Sequence, residues 1–208
     1  MPQADESWSR RPIRGGVLIG GGSRRMGRPK PLVSLDGATF IERVVNALSA
    51  RLEQVVLLGQ GPVPTSLNGM MRIPDAPGLV GPLAGILAAL RWAPGACWVV
   101  IACDLPLLRA EAVDWLLAQR APDRWAVLPR LTPQRVEPLL AVYEPESRAL
   151  LEELTAAGID SPHSLAGRPH VHCPSPPESL RCCWTNINTP EELRAVQEPS
   201  DGAARGCM

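Results

Sequence analysis

The densest concentration of chemistry in the chain is the run Gly20-Gly21-Gly22-Ser23-Arg24-Arg25-Met26-Gly27-Arg28-Pro29-Lys30. Glycines let a backbone turn tightly and approach a ligand, so that successive amides can point at phosphate oxygens. Arg24, Arg25, Arg28 and Lys30 add positive charge to the same stretch. A nucleoside triphosphate carries negative charge that must be offset before a nucleophile can approach, and this mixture suits one. Two common nucleotide loops are excluded by spacing. A Walker loop has Lys and Ser/Thr directly after its last glycine, whereas Gly27 is followed by Arg28 and Pro29. A dinucleotide loop needs a third glycine where Arg25 stands. Lys30 is also the one lysine among 21 basic residues. That bias marks a position where a compact ammonium is wanted and a planar guanidinium is not.

The second chemical feature is Asp104, which follows the apolar run from Trp98 to Cys103 and precedes Leu105-Pro106. On its own, an Asp before such a turn is an ordinary capping residue. Opposite a phosphate loop, a carboxylate at the carboxyl end of a strand is a natural Mg²⁺ ligand. The ion would bridge the triphosphate and offset charge as pyrophosphate leaves. Gly81-Pro82-Leu83-Ala84-Gly85 places Pro at the first position of a helix, between two glycines that allow close approach, and Asp75 lies shortly before it. Asn186 and Asn188 flank Ile187 just ahead of Thr189-Pro190-Glu191-Glu192, an N-cap, Pro and acidic start to a helix.

These residues need a scaffold that brings strand ends together. Val17 to Ile19, Val55 to Leu58, Met70 to Ile73, Cys97 to Cys103, Trp125 to Leu128 and Leu139 to Tyr143 read as strands. Between them, helices are predicted over 40–52, opened by a Thr39/Glu42 capping box, and over 82–92, 111–120 and 145–157. Alternating short apolar strands and helices indicate an α/β domain with a mainly parallel central sheet flanked by helices. In such sheets ligands bind beyond the carboxyl ends of strands, where Gly20–Lys30 and Asp104 fall. The Pro-rich stretch from Ser161 to Arg181 has no clear period and reads as an irregular excursion with access to substrate.

The 208 residues accommodate one domain, expected over 15–197, with flexible polar tails at 1–14 and 198–208. Acidic and basic residues balance at 21 each, which argues against nucleic-acid and membrane-surface partners. With no apolar run of transmembrane length and no apolar signal core near Met1, the expectation is a cytoplasmic protein. Six cysteines show no Cys-x-x-Cys pair, and His163, His170, His172 and Cys173 lie too loosely for a zinc framework. The thiols are expected to be buried or incidental.

Leu18-Ile19-Gly20-Gly21-Gly22-Ser23-Arg24-Arg25-Met26-Gly27-x-x-Lys30 resembles the signature loop of nucleotidyltransferases of the molybdopterin guanylyltransferase (MobA-like) type, the molybdenum cofactor guanylyltransferases. Cys103-Asp104-x-Pro106, Gly81-Pro82-Leu83-Ala84-Gly85, Glu137-Pro138-Leu139 and Asn186-Ile187-Asn188-Thr189-Pro190 resemble later segments of that family, in the same order. The resemblance implies a Rossmann-like nucleotidyltransferase domain that moves GMP from GTP onto the phosphate of molybdopterin with Mg²⁺. Carried over residue by residue, it assigns catalysis to Arg25, Lys30 and Asp104, with Asp104 on the metal. It assigns nucleotide binding to Leu18, Ile19, Gly20, Gly21, Lys30, Asp75, Gly81, Gly85, Asp104, Asn186 and Asn188. It also implies GTP and molybdopterin as partners, with other molybdenum-cofactor biosynthesis proteins and molybdoenzyme chaperones. Two positions depart from the pattern: Ile19 replaces a small Ala, and Pro29-Lys30 is an ending common in related cytidylyltransferases. A cytidylyltransferase for the same pterin, a sugar-1-phosphate nucleotidyltransferase and a non-catalytic nucleotide-binding partner of a molybdoenzyme therefore stay open as alternatives.

Overall fold

The structure is a computed structural model that describes residues 6–20 and 29–197, so Gly21 and Arg25 lie outside the described residues, as does 198–208. The chain runs through helix α1 (Glu6–Ser9), strand β1 (Ile13–Leu18), a small hairpin of β2 (Ser34–Leu35) and β3 (Ala38–Thr39), and helix α2 (Phe40–Ser49). Strands β4 (Gln54–Leu58) and β5 (Arg72–Ile73), helix α3 (Pro82–Trp92), strand β6 (Cys97–Ala102) and helix α4 (Ala110–Ala118) follow. Strand β7 (Ala126–Val127) leads to a second hairpin, β8 (Arg130–Thr132) and β9 (Arg135–Val136). Strand β10 (Leu140–Tyr143), helix α5 (Ser147–Ala156), strand β11 (Val171–His172) and helix α6 (Pro190–Gln197) complete it.

Seven strands form one sheet in the order β11-β7-β10-β6-β1-β4-β5. Every pairing in it is parallel except those of β10, which runs antiparallel to both β6 and β7. Parallel neighbours need crossovers, and helices supply them, so both faces are covered and β6 is buried at all six positions. Its residues alternate between two cores, as the strand period demands. Val99 and Ile101 pack with Ile41, Val44 and Leu48 of α2 and with Val113 and Leu116 of α4. Trp98 and Val100 pack with Leu83, Ile86 and Leu87 of α3 and with Leu151 and Leu154 of α5. A third cluster of Val33, Leu35, Phe40 and Ile187 lies beside the β2–β3 hairpin. From β1 the chain passes to β4 and β5 on one side, then returns through α3 to β6 on the other. That reversal leaves a crevice between the carboxyl ends of β1 and β6.

Helix α2 begins where the sequence indicates. The Thr39 hydroxyl accepts from the Glu42 amide, and the Glu42 carboxylate accepts from the Thr39 amide at 2.8 Å. Residues 6–14, expected within a polar tail, instead include α1 and the first two residues of β1. Arg11 pairs with Glu146 at 2.6 Å, and the Trp8 ring carries the Arg120 guanidinium 4.8 Å from its centroid. The stretch 161–181 is likewise less irregular than expected: β11 adds a parallel edge strand beside β7, and a 3-10 helix spans Glu178–Trp184. No helix among the described residues is long and apolar enough to cross a membrane.

At the amino ends of the parallel strands, Glu144 is buried and accepts from Arg120 at 2.6 Å, with Arg11 at 3.5 Å. Removing Arg120 leaves the buried carboxylate with only the longer Arg11 contact and one oxygen without its charged donor. Arg120→Ala is expected to cost about 3–5 kcal/mol in a urea unfolding titration. Nucleotide affinity of the folded variant should stay unchanged, since the crevice lies at the other end of the sheet.

Candidate active site

The crevice is a cleft of about 300 Å³. One wall is the end of β1, where Leu18, Ile19 and Gly20 line it. The Ile19 amide donates to the Leu58 carbonyl at 3.0 Å, and the Cys103 amide donates to the Leu18 carbonyl at 3.2 Å. These bonds lace the ends of β1, β4 and β6 together. The Ile19 side chain is buried in the core on the α2 face. The larger residue at the family's Ala position is thus absorbed by packing.

Lys30 opens a 3-10 turn, Lys30–Leu32, closed by the Val33 amide donating to the Lys30 carbonyl at 3.1 Å. The Phe40 amide then donates to Val33 at 2.8 Å and fixes the turn to the start of α2. The Lys30 ammonium reaches across the cleft and donates to Asp104 Oδ2 at 2.7 Å and to Asn188 Oδ1 at 2.5 Å. Asn186 Nδ2 donates to the other Asp104 oxygen, Oδ1, at 3.1 Å. The two asparagines are aimed by the residue between them. Ile187 is fully buried in the third cluster, and its amide donates to the Asp104 carbonyl at 3.0 Å. Trp184, buried and donating from Nε1 to the Leu140 carbonyl at 3.1 Å, anchors the chain just upstream. Downstream, Glu192 accepts from the Asn188 amide at 2.6 Å and closes the α6 cap with Thr189.

The opposite wall carries Asp75, Gly81 and Pro82. Burial pushes the Asp75 carboxyl above the ordinary aspartate range. Gly59, at φ +90°, lets the chain turn beneath it; a Cβ there would stand 3.1 Å from Asp75 Oδ1. Gly85 does not line the cleft. It lies behind Leu18, where an added Cβ would come within 2.4 Å of Leu18 Cδ2, so it sets how deep Leu18 can sit. Asn186 and Asn188 are also outside the wall proper and act on Asp104 and Lys30 instead. No residue of 161–181 lines the cleft.

Pro31, Leu58, Ala102, Cys103 and Leu139 complete the walls. In the sequence Pro31 carries no signal, and the other four are visible only as strand or motif residues with no binding role. Gly59, placed directly after a strand, carried a signal that was readable. Burial pushes the Cys103 thiol up to about 12, so it stays protonated at neutral pH and is no nucleophile. Among the described residues no group of three or more His, Cys, Asp and Glu side chains could hold a metal. One carboxylate, Asp104, is nonetheless a fitting anchor for Mg²⁺, which takes hard oxygens from one or two carboxylates and fills its remaining positions with phosphates and water.

The Gly85 contact has a measurable consequence. In Gly85→Ala the new methyl must push Leu18 toward the cleft. The expected result is a stability loss of about 1–3 kcal/mol from overpacking, together with a raised nucleotide KM. An unchanged KM would dissociate Gly85 from the shape of the site.

A family model described as a MobA-like NTP transferase domain matches residues 15–169. A molybdenum cofactor biosynthesis bifunctional protein of Synechocystis is 38% identical over 120 residues, 55% of this chain and 34% of its own length. A probable molybdenum cofactor guanylyltransferase of Bacillus cereus is 32% identical over 118 residues, 54% of this chain and 59% of its own. The chain thus spans between about a third and three-fifths of these curated relatives. The crystal structure of molybdopterin-guanine dinucleotide biosynthesis protein A from Archaeoglobus fulgidus superposes with a TM-score of 0.70 at 30% identity, covering 88% of this chain and 96% of that one. A cleft at the sheet reversal, with Lys30 and Asp104 meeting across it, is thus accompanied by likeness in sequence and in fold, and the chain belongs to the MobA-like NTP transferase family.

Proposed function

We propose that this chain is a molybdenum cofactor guanylyltransferase, moving GMP from GTP to the phosphate of molybdopterin in the cytoplasm. The observation that carries the reading is the junction of Lys30 with Asp104 at the mouth of β6, held by Asn186 and Asn188. It combines a mobile cation for a triphosphate with a carboxylate for Mg²⁺ in one cleft. The relatives named for guanylyl transfer share this family, and that supports the choice of substrates.

In the reaction a phosphate oxygen of molybdopterin attacks the α-phosphorus of GTP in line. The bond from that phosphorus to the bridging oxygen breaks, and pyrophosphate leaves with the electron pair. The attacking monoester is already ionised at neutral pH, so no general base is required. The protein's share is positioning and charge. Lys30, with the amides of Gly20 and Gly21 and with Arg25, holds the triphosphate. Asp104 holds Mg²⁺, whose chemistry when bound is to neutralise charge developing on the phosphoryl oxygens. Asp75, Gly81 and the start of α3 face the nucleoside. The Pro29-Lys30 sequence favours a second reading, in which the same site takes CTP.

The two readings separate in one measurement. With molybdopterin as acceptor, kcat/KM for GTP should exceed that for CTP by at least about 10²-fold, because a site built to pair with guanine leaves buried polar groups unpaired against another base. A preference for CTP would move the chain to the cytidylyl branch. In the same assay Lys30→Ala should lose on the order of 10²-fold or more in kcat/KM, comparable to losing one preorganised charge. Lys30→Arg should recover only part, and Asp104→Asn should keep the fold while losing most transfer. Near-normal turnover in Asp104→Asn would remove that residue from the mechanism.

A further inference from the structure

Both oxygens of the Asp104 carboxylate are engaged by the protein itself. Asn186 Nδ2 is 3.1 Å from Oδ1, and the Lys30 ammonium is 2.7 Å from Oδ2. The side chains are sheltered, with 22% of Lys30 and 14% of Asp104 exposed, so screening by water is limited. A divalent cation on this carboxylate would stand beside a full positive charge with no anion between them. A polyphosphate supplies that anion, and it also attracts the ammonium. Lys30 is built to move: it has a flexible four-carbon stem and three donors, and Asn188 Oδ1 offers it a second hold independent of Asp104.

We infer that Lys30 competes with the divalent cation for Asp104, and that a polyphosphate releases the carboxylate to the metal by drawing the ammonium away. Metal and nucleotide then enter as mutually dependent ligands, each raising the affinity of the other. The device accounts for the one lysine in a chain with 20 arginines. A guanidinium at this position would clasp both carboxylate oxygens in a bidentate pair and would not let go. The inference rests on Asp104 as the metal-holding residue of the proposed function, and not on which base the nucleotide carries.

The test is a Mn²⁺ titration of the full chain without nucleotide, followed by electron paramagnetic resonance. Lys30→Met should bind Mn²⁺ at least about ten-fold more tightly than the natural chain, within the range usual for coupled ligands. Lys30→Arg should bind no more tightly than the natural chain. Adding Asp104→Asn to Lys30→Met should abolish the gain. Equal affinities in the natural chain and Lys30→Met, or a gain that survives Asp104→Asn, would overturn the inference. A second measurement needs no variant. With lysine labelled by ¹⁵N at Nζ, one side-chain ammonium signal reports Lys30. It should hold its position when Mg²⁺ is added alone and shift when inorganic tripolyphosphate is added. A shift of equal size with Mg²⁺ alone would sink the proposal. A chain that fails to transfer GMP yet shows these responses loses the function and keeps the interlock; one that transfers GMP without them loses only the interlock.

Discussion

Parallel strands cannot be joined by a tight turn, and the rest of this molecule follows from that constraint. The chain must climb over the sheet between β1 and β4 and again between β5 and β6, and it does so on opposite sides of β1. The two crossovers depart in different directions and leave a cleft beyond the ends of β1 and β6. Leu18 to Gly20 emerge on one side of that space and Cys103 and Asp104 on the other. The cleft is a by-product of topology. The hydrogen bond from the Cys103 amide to the Leu18 carbonyl keeps it narrow enough to be a site.

Onto this rigid half the chain adds a second, lighter one. The 3-10 turn at Lys30 and the Asn186–Asn188 segment come from regions 158 residues apart, yet they meet over Asp104. The hydrophobic residues that hold them there are few: Val33, Leu35, Phe40 and Ile187. Ile187 does the aiming, because burying it turns its two polar neighbours the other way. Short-range alternation, a property of any extended chain, is here converted into an arrangement of two amides around a charged pair.

Much of the scaffold was readable from the residues. Helix α3 runs from Pro82 to Trp92 as expected, since Pro at N1 fixes its start and an apolar stretch fills it. The capping box of α2 was equally plain, because its partners are three positions apart. What escaped the sequence depends on long-range partners. The stretch Arg14-Gly15-Gly16 of β1 lacks strand-like side chains and is a strand because β4 and β6 pair with it on both sides. Arg11 looks like tail residue until Glu144, 133 positions away, supplies its charge. In the site, Lys30 and Asp104 could each be named, but their direct pairing across 74 residues could not. At Gly85 the sequence shows a glycine able to allow close approach, but not that the group approaching it is Leu18.

The modest size of the third cluster has a consequence for local stability. Segments fastened by few buried contacts open at lower free energy than the sheet around them. Residues 186–197 hang on Ile187, on partly buried Leu193 and Val196, and on the α6 cap, while β6 is buried along its whole length. Amide hydrogens of α6 are therefore expected to exchange with solvent through partial opening that leaves β1 and β6 intact. Asp104 stands just past the end of fully buried β6, whereas the asparagines that grip it ride on the more lightly fastened segment.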